Sequence, residues 1–158
     1  MQNLIANQHK VLIFSQYVRY LAKIKEILTT EQITYQYLDG STPSKERPKI
    51  VEAFQAGQTE VFLISLKAGG TGLNLTAADY VIILNPWWNP AIEDQASDRA
   101  HRIGQQRTVT VYRLVMKNSI EEKIIKLHQN KRNLANDLLS GSDVSGKLTE
   151  EELLGLIL

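Results

Sequence analysis

Apolar residues along the chain gather in short runs separated by stretches of helical period. Val11–Phe14 is a four-residue run, too short for a helix and rich in branched side chains, which predicts a buried strand. Tyr17, Leu21, Ile24 and Leu28 then recur at spacings of four, three and four, the mark of an amphipathic helix ending near Thr30. Ile33–Leu38 reads as a second strand closed by an Asp39-Gly40 turn, and Ser44–Ala56 as a helix with Ile50, Val51 and Phe54 on its apolar stripe. Val61–Ser65 is a third strand, followed by a loop holding Gly69, Gly70 and Gly72. Tyr80–Leu84 is a fourth. Asn89-Pro90 then opens a helix predicted to run to Ile103, with Gly104 as its stop, and Thr108–Val115 is a fifth strand. Strands and helices in alternation, the strands continuously apolar, predict an α/β fold with a parallel sheet covered on both faces.

The tail follows a different pattern. Ser119 and Glu122 have the spacing of a capping box for a long helix with Ile120, Ile124, Leu127, Leu134 and Leu138 on one side. Residues 140–147, with the run Ser140–Gly146, have the composition of a flexible linker, and Thr149 and Glu152 cap a last helix faced by Leu153, Leu154, Ile157 and Leu158. The predicted layout is a lead-in over 1–8, a sheet domain over 9–118 and a helical appendage over 119–158. Pro48 leaves the start of the second helix open: at Ser44 it removes one early N–H, whereas from Thr42 it kinks the helix.

Composition narrows the function classes. The chain has 158 residues, 43% of them hydrophobic, enough for one domain with a real core. Eighteen Lys and Arg against seventeen Asp and Glu leave a net charge of +1, so any polyanion site must be local. Cysteine is absent, which excludes a disulfide scaffold and a thiolate metal site. No apolar run approaches a membrane span and the first residues do not make a signal peptide, so a soluble chain with no membrane partner is expected. There is no lysine-bearing phosphate loop, no nucleophile elbow, and no metal-ligand spacing among His9, His101 and His128. By itself the chain offers no self-contained catalytic centre and no metal site.

Two segments nevertheless carry candidate chemistry. In Ser65-Leu66-Lys67-Ala68-Gly69-Gly70-Thr71-Gly72-Leu73-Asn74, three of the nine glycines fall within four positions at the carboxyl end of a predicted strand. Such a segment is either a tight turn needing positive φ or a nest of amide N–H groups open to a phosphate. On the helix after Pro90, Gln95, Arg99 and Arg102 stand at i, i+4 and i+7 and share one face. Two planar guanidinium forks there suit polyphosphate oxygens, unless Glu93, Asp94 and Asp98 neutralise them on a solvated surface. Trp87 and Trp88 either pack beneath the loop or offer rings for stacking. On the tail helix, Lys123, Lys126, Lys131 and Arg132 either touch a nucleic-acid backbone or, with Glu121, Glu122 and Asp137 among them, form a solvated face.

Lys10-Val-Leu-Ile-Phe-Ser-Gln16, Leu38-Asp-Gly-Ser-Thr42, the Ser65–Asp79 glycine segment, Asn85-Pro-Trp-Trp-Asn-Pro90 and Gln95-Ala-Ser-Asp-Arg-Ala-His-Arg-Ile-Gly-Gln105 occur in one order. In that order and at those separations they resemble the second, C-terminal RecA-like lobe of the Swi/Snf-related ATPases, which are superfamily-two helicase-like motors. The glycine segment is similar to bacterial and archaeal members more than to eukaryotic remodellers. The resemblance runs from about His9 to Val115 and is weaker in the tail. Asn85 stands where aspartate is common in the family, and Leu66 where threonine is common.

The resemblance implies a three-layer RecA-like sheet of P-loop NTPase type with a helical C-terminal extension. It also implies a division of labour: ATP and Mg²⁺ are held mainly by a first, N-terminal RecA-like lobe of the same protein. Arg99 and Arg102 match the family's arginine fingers and Gln95 opens the same motif. Gly70, Gly72 and Asn74 match positions beside the nucleotide. Ser15, Gln16, Gly40, Ser41, Thr42, Ser65, Lys67, Ala68 and Gly69 match positions facing the phosphate backbone of double-stranded DNA, contacts that position a duplex without reading its sequence. The implied activity is ATP-driven translocation on duplex DNA, in the cytoplasm on the nucleoid of a prokaryote or in the nucleus of a eukaryote. The fragment alone is expected to be monomeric and inactive. The rival readings are a strand-separating helicase and a non-catalytic module that docks a partner or nucleic acid.

Overall fold

The computed structural model describes residues 1–69, 72–86 and 90–139. Trp87, Trp88, Gly70, the linker and the last predicted helix lie outside the described residues. The chain divides into two compact units, Met1–Val115 and Met116–Leu158.

The first unit opens with a short helix, α1 (Gln2–Ala6), and continues with β1 (Val11–Ser15), α2 (Val18–Thr30), β2 (Tyr35–Leu38), α3 (Arg47–Gln55) and β3 (Val61–Ser65). A helical turn, α4 (Leu66–Gly69), precedes β4 (Tyr80–Leu84), α5 (Pro90–Ser97) and β5 (Thr110–Leu114). All five strands are parallel, in the order β2-β3-β1-β4-β5. From β1 the chain first moves outward to β2, then returns through β3 and crosses to β4 and β5. Right-handed crossovers therefore place α2 on one face of the sheet and α3, α4 and α5 on the other. Two apolar clusters record this. Val11, Ile13, Val61 and Leu63 pack with Leu21 and Leu28 of α2, whereas Leu12, Phe14, Phe62 and Ile64 pack with Phe54, Ala96 and Ala100. Burial on both faces explains why β1 and β3 are apolar at successive positions rather than alternately. In β4 only Val81 and Ile83 are buried, on the α3–α5 side. Within these residues no helix is long and apolar enough to cross a membrane.

Several expected boundaries move. The second helix begins at Arg47, so Pro48 falls in the first turn, where its missing N–H has no helical acceptor to lose. The second strand begins at Tyr35, because the Ile33 amide is drawn back to the Leu28 carbonyl (2.9 Å) as α2 ends. The region after β3, expected to be a loop, continues directly into α4.

At the amino ends of the strands, sequence distance hides a buried latch. Asp79, just before β4, accepts from the Lys10 amide (3.1 Å), contacts His9 Nδ1 (2.7 Å) and pairs with Arg107 Nη1 (3.2 Å), tying the starts of β1, β4 and β5. Burial alone would push this carboxyl up, but the His9 ring, the Lys10 amide and the Arg107 guanidinium together hold it below the ordinary carboxylate range. A carboxyl depressed in the folded state adds stability above its unfolded value of about 4, and that stability is lost as pH falls through the lower folded value. Urea unfolding between neutral and acidic pH is therefore expected to show a stability loss below about pH 4 that is smaller in Asp79→Asn. Equal acid sensitivity in the variant would contradict the latch.

In the second unit, α6 (Ile120–Leu139) starts with a modified capping box. Ser119 Oγ accepts from the Glu121 amide (3.1 Å), and the Glu122 carboxylate takes the Asn118 amide (3.0 Å), one residue earlier than the sequence spacing implied. Ile120, placed by its spacing on the apolar side, is exposed.

Candidate phosphate-facing site

In an open parallel sheet, ligands gather beyond the carboxyl ends of the strands, where successive crossovers leave on opposite faces. Here that place flanks β1, whose neighbours β3 and β4 lead to helices on the other side of the sheet. Ser15 and Ser65 end β1 and β3 as register partners. Both are buried and their hydroxyls serve the turns that follow. Ser15 Oγ accepts from the Tyr17 amide (3.1 Å), and Ser65 Oγ accepts from the Ala68 amide (3.3 Å). Ala68 is also buried, Gln16 is half-buried, and Lys67 is exposed. Of the residues expected at the phosphate backbone, Ser15, Ser65 and Ala68 thus shape the loops, while Lys67 faces solvent.

The turn after β2 is built around the Asp39 carboxylate, which accepts from the Ser41 amide (2.8 Å), the Ser41 hydroxyl (2.6 Å) and the Tyr37 hydroxyl (2.7 Å). The Ser41 and Tyr37 hydroxyls hold this carboxyl below its usual range, against the opposing effect of burial. The Tyr37 phenol, half-buried against that carboxylate, is pushed up to about 12. Arg47 donates to the Thr42 carbonyl (3.1 Å) and the Asp39 carbonyl (3.3 Å) from below. Gly40 and Ser41 remain exposed on a turn braced from three sides.

The arginine segment departs from its expected form. Instead of running to Ile103, α5 ends at Ser97, and residues 98–104 form a succession of tight turns. Past Ser97 the amides turn back to nearer carbonyls, Arg99 to Ala96 (3.3 Å) and Ala100 to Ser97 (3.1 Å), and the glycine segment docks on the turns so formed. The Leu75 amide donates to the Arg99 carbonyl (2.9 Å), and Gln105 Nε2 donates to the carbonyls of Ala78 (2.7 Å) and Ala100 (3.1 Å). Gly104, at φ +105°, completes the bend. Gln95, Arg99 and Arg102 therefore do not share a helical face. Gln95 and Arg102 are exposed, whereas Arg99 is only 3% exposed. In exchange the two candidate segments meet: Arg102 Nη1 reaches the Gly72 carbonyl at 3.4 Å. Gly72 holds φ +68° with open space where a side chain would project, so the positive-φ reading of the turn applies there. Asn74, two residues on, is exposed.

Glu93 and Asp94 are turned away from these arginines. Glu93, fully buried, binds Arg113 Nε of β5 at 2.8 Å, and Asp94 lies 3.8 Å from the same guanidinium. Among the described residues no ion pair involves Arg99 or Arg102, and Arg99 Nε has no hydrogen-bond acceptor. Burial lowers the proton affinity of the Arg99 guanidinium, and the Arg102 charge lowers it further, with only Asp98 opposing. A charge buried without a partner is costly and persists where a ligand supplies the counter-charge. The Glu93–Arg113 pair and the Asp79 latch were missed in the sequence, which carries no local signal for either.

The helicase conserved C-terminal domain model matches residues 1–104. The chain belongs to that family. As a helicase C-terminal domain it is 44% identical over 154 residues to an uncharacterized ATP-dependent helicase of Mycoplasma pneumoniae, a match covering 96% of this chain and 15% of the relative. It is 43% identical over 152 residues to the chromatin-remodeling ATPase INO80 of Homo sapiens, covering 95% of this chain and 10% of that protein. Identity therefore does not separate bacterial from eukaryotic relatives. The crystal structure of the C-terminal part of the Fun30 ATPase domain superposes with a TM-score of 0.75 at 41% identity, covering 78% of this chain and 40% of that one. The RecA-like parallel sheet and the homology to Swi/Snf-type ATP-dependent helicases agree with the expectations from sequence. The chain spans only about a tenth to a sixth of the length of the relatives it matches.

Proposed function

We propose that this domain is the second motor lobe of an ATP-dependent double-stranded-DNA translocase. In that role Arg99 and Arg102 reach the phosphates of ATP bound, with Mg²⁺, mainly on a first lobe. The observation that carries the reading is the Arg99 guanidinium, buried without an acidic partner beside an exposed Arg102 and the Gly72 turn. During phosphoryl transfer negative charge spreads over the phosphoryl oxygens, and a guanidinium aimed there stabilises it. Because a first lobe must close to bring those oxygens within reach, hydrolysis is gated by conformation. Gly72 and Asn74 lie on the segment that Arg102 touches and would border the nucleotide. Lys67, Gln16 and the braced Gly40-Ser41-Thr42 turn would meet DNA phosphates, with Ser15 and Ser65 holding the loops that present them. Alternate closing and opening on the duplex then gives translocation.

The test joins this domain to its first lobe. DNA-stimulated ATP hydrolysis is expected from the joined protein and none from the isolated domain, followed by phosphate release. Turnover by the isolated domain, or DNA binding without any turnover by the joined protein, would reject the motor-lobe reading, the second result in favour of a docking module.

A further inference from the structure

The turn that carries the arginines also carries an anomaly. Ile103 is fully exposed, whereas every other exposed large apolar side chain among the described residues is at most 67% exposed. A scattered apolar residue at a surface needs no explanation, but this one is held out on a braced turn. Gly104 at φ +105° sets the bend, Gln105 pins its far side to the Ala78 and Ala100 carbonyls, and Arg102 rests on the Gly72 carbonyl. His101, Arg102 and Ile103, consecutive on this turn, are all exposed.

We propose that Ile103 is a docking residue, seated in an apolar site on the nucleotide-bearing first lobe when the two lobes close. The inference rests on the motor-lobe reading above and deepens it. The occupant follows from continuity: Ile103 adjoins Arg102, so a surface that brings phosphate oxygens to Arg102 also covers the side chain next to it. The chemistry of the two neighbours is complementary. The guanidinium contributes only when a phosphate is present, whereas the isoleucine contributes contact area that favours closure before the reaction begins. A β-branched side chain suits this task because little rotamer freedom is left to lose.

Full exposure makes the proposal testable, since a side chain that touches nothing within its own domain has no packing role to confuse the result. The experiment uses the lobe-complete protein and compares Ile103→Asp, Ile103→Leu and Arg102→Ala in steady-state ATP hydrolysis with DNA titrated to saturation. Ile103→Asp is expected to lower kcat on the order of tenfold at saturating ATP and DNA, the effect of placing a charge against an apolar seat, while Ile103→Leu stays close to the unsubstituted protein. The melting temperature of both is expected to hold within about 1 °C. Retained kcat in Ile103→Asp alongside a loss in Arg102→Ala overturns the docking role and leaves the motor-lobe reading standing. Retained activity in both removes that reading and the docking role with it. A defect that disappears at saturating DNA assigns Ile103 to the nucleic acid and overturns the proposal, as does a melting temperature that falls with kcat.

Discussion

Arg99→Met in the lobe-complete protein is expected to lower DNA-stimulated kcat by ~10³–10⁵-fold while leaving ATP binding to the first lobe nearly unchanged. The same substitution in the isolated domain is expected to leave stability unchanged or to raise it. These opposite outcomes have one cause. The guanidinium is 3% exposed, its Nε has no acceptor, and the charges acting on it are the like-charged Arg102 and, opposing it, Asp98. Without nucleotide the domain bears the cost of a desolvated charge, and methionine fills similar space without that cost. Thermal unfolding would register the relief as a rise of about 2–4 °C for each kcal/mol recovered. Arg99→Lys keeps a charge but loses the planar fork, so its activity should fall nearly as far. A fall in kcat of less than about tenfold in Arg99→Met, outside the range of an arginine that meets transferring phosphate, would remove Arg99 from the reaction.

The second large effect is structural. Glu93 is fully buried and its carboxylate binds Arg113 Nε at 2.8 Å, joining α5 to β5. Arg113→Ala leaves that carboxylate buried without its cation, and the expected loss is about 3–5 kcal/mol in denaturant unfolding at neutral pH. The double replacement Glu93→Leu with Arg113→Leu removes both charges together and should recover most of that loss, because no buried charge then faces the loss of this counter-ion. A double variant no more stable than Arg113→Ala would show that packing of the arginine stem, rather than charge pairing, is what β5 supplies. Since the turn bearing Arg99 and Arg102 continues from α5, Arg113→Ala should also lose ATPase activity in the joined protein, but through loss of fold.

The sheet was legible because its signals are local. Val61–Ser65 and Tyr80–Leu84 have the predicted bounds, for each is a branched apolar run closed by polar residues. The order of the motifs was sufficient to place the family, whose model covers residues 1–104. The candidate site was legible as a set of residues but not as an arrangement. Spacing at i, i+4 and i+7 put Gln95, Arg99 and Arg102 on one helical face, and that inference assumed the helix continued. It ends at Ser97, and the Arg99 carbonyl beyond that end accepts from the amide of Leu75, a residue on another segment. The same holds for the acids near the arginines. Glu93 precedes Arg99 by six positions, yet its carboxylate binds Arg113, twenty positions away.

The sequence by itself determined the five strands, their order and the candidate guanidinium and glycine segments, since period, capping and residue type act over a few positions. The tertiary structure decided which charges meet. Desolvation and Coulomb energies depend on distances through space, and only the packed sheet sends Glu93 to Arg113, closes Asp79 between His9 and Arg107, and leaves the Arg99 guanidinium buried without an acidic partner.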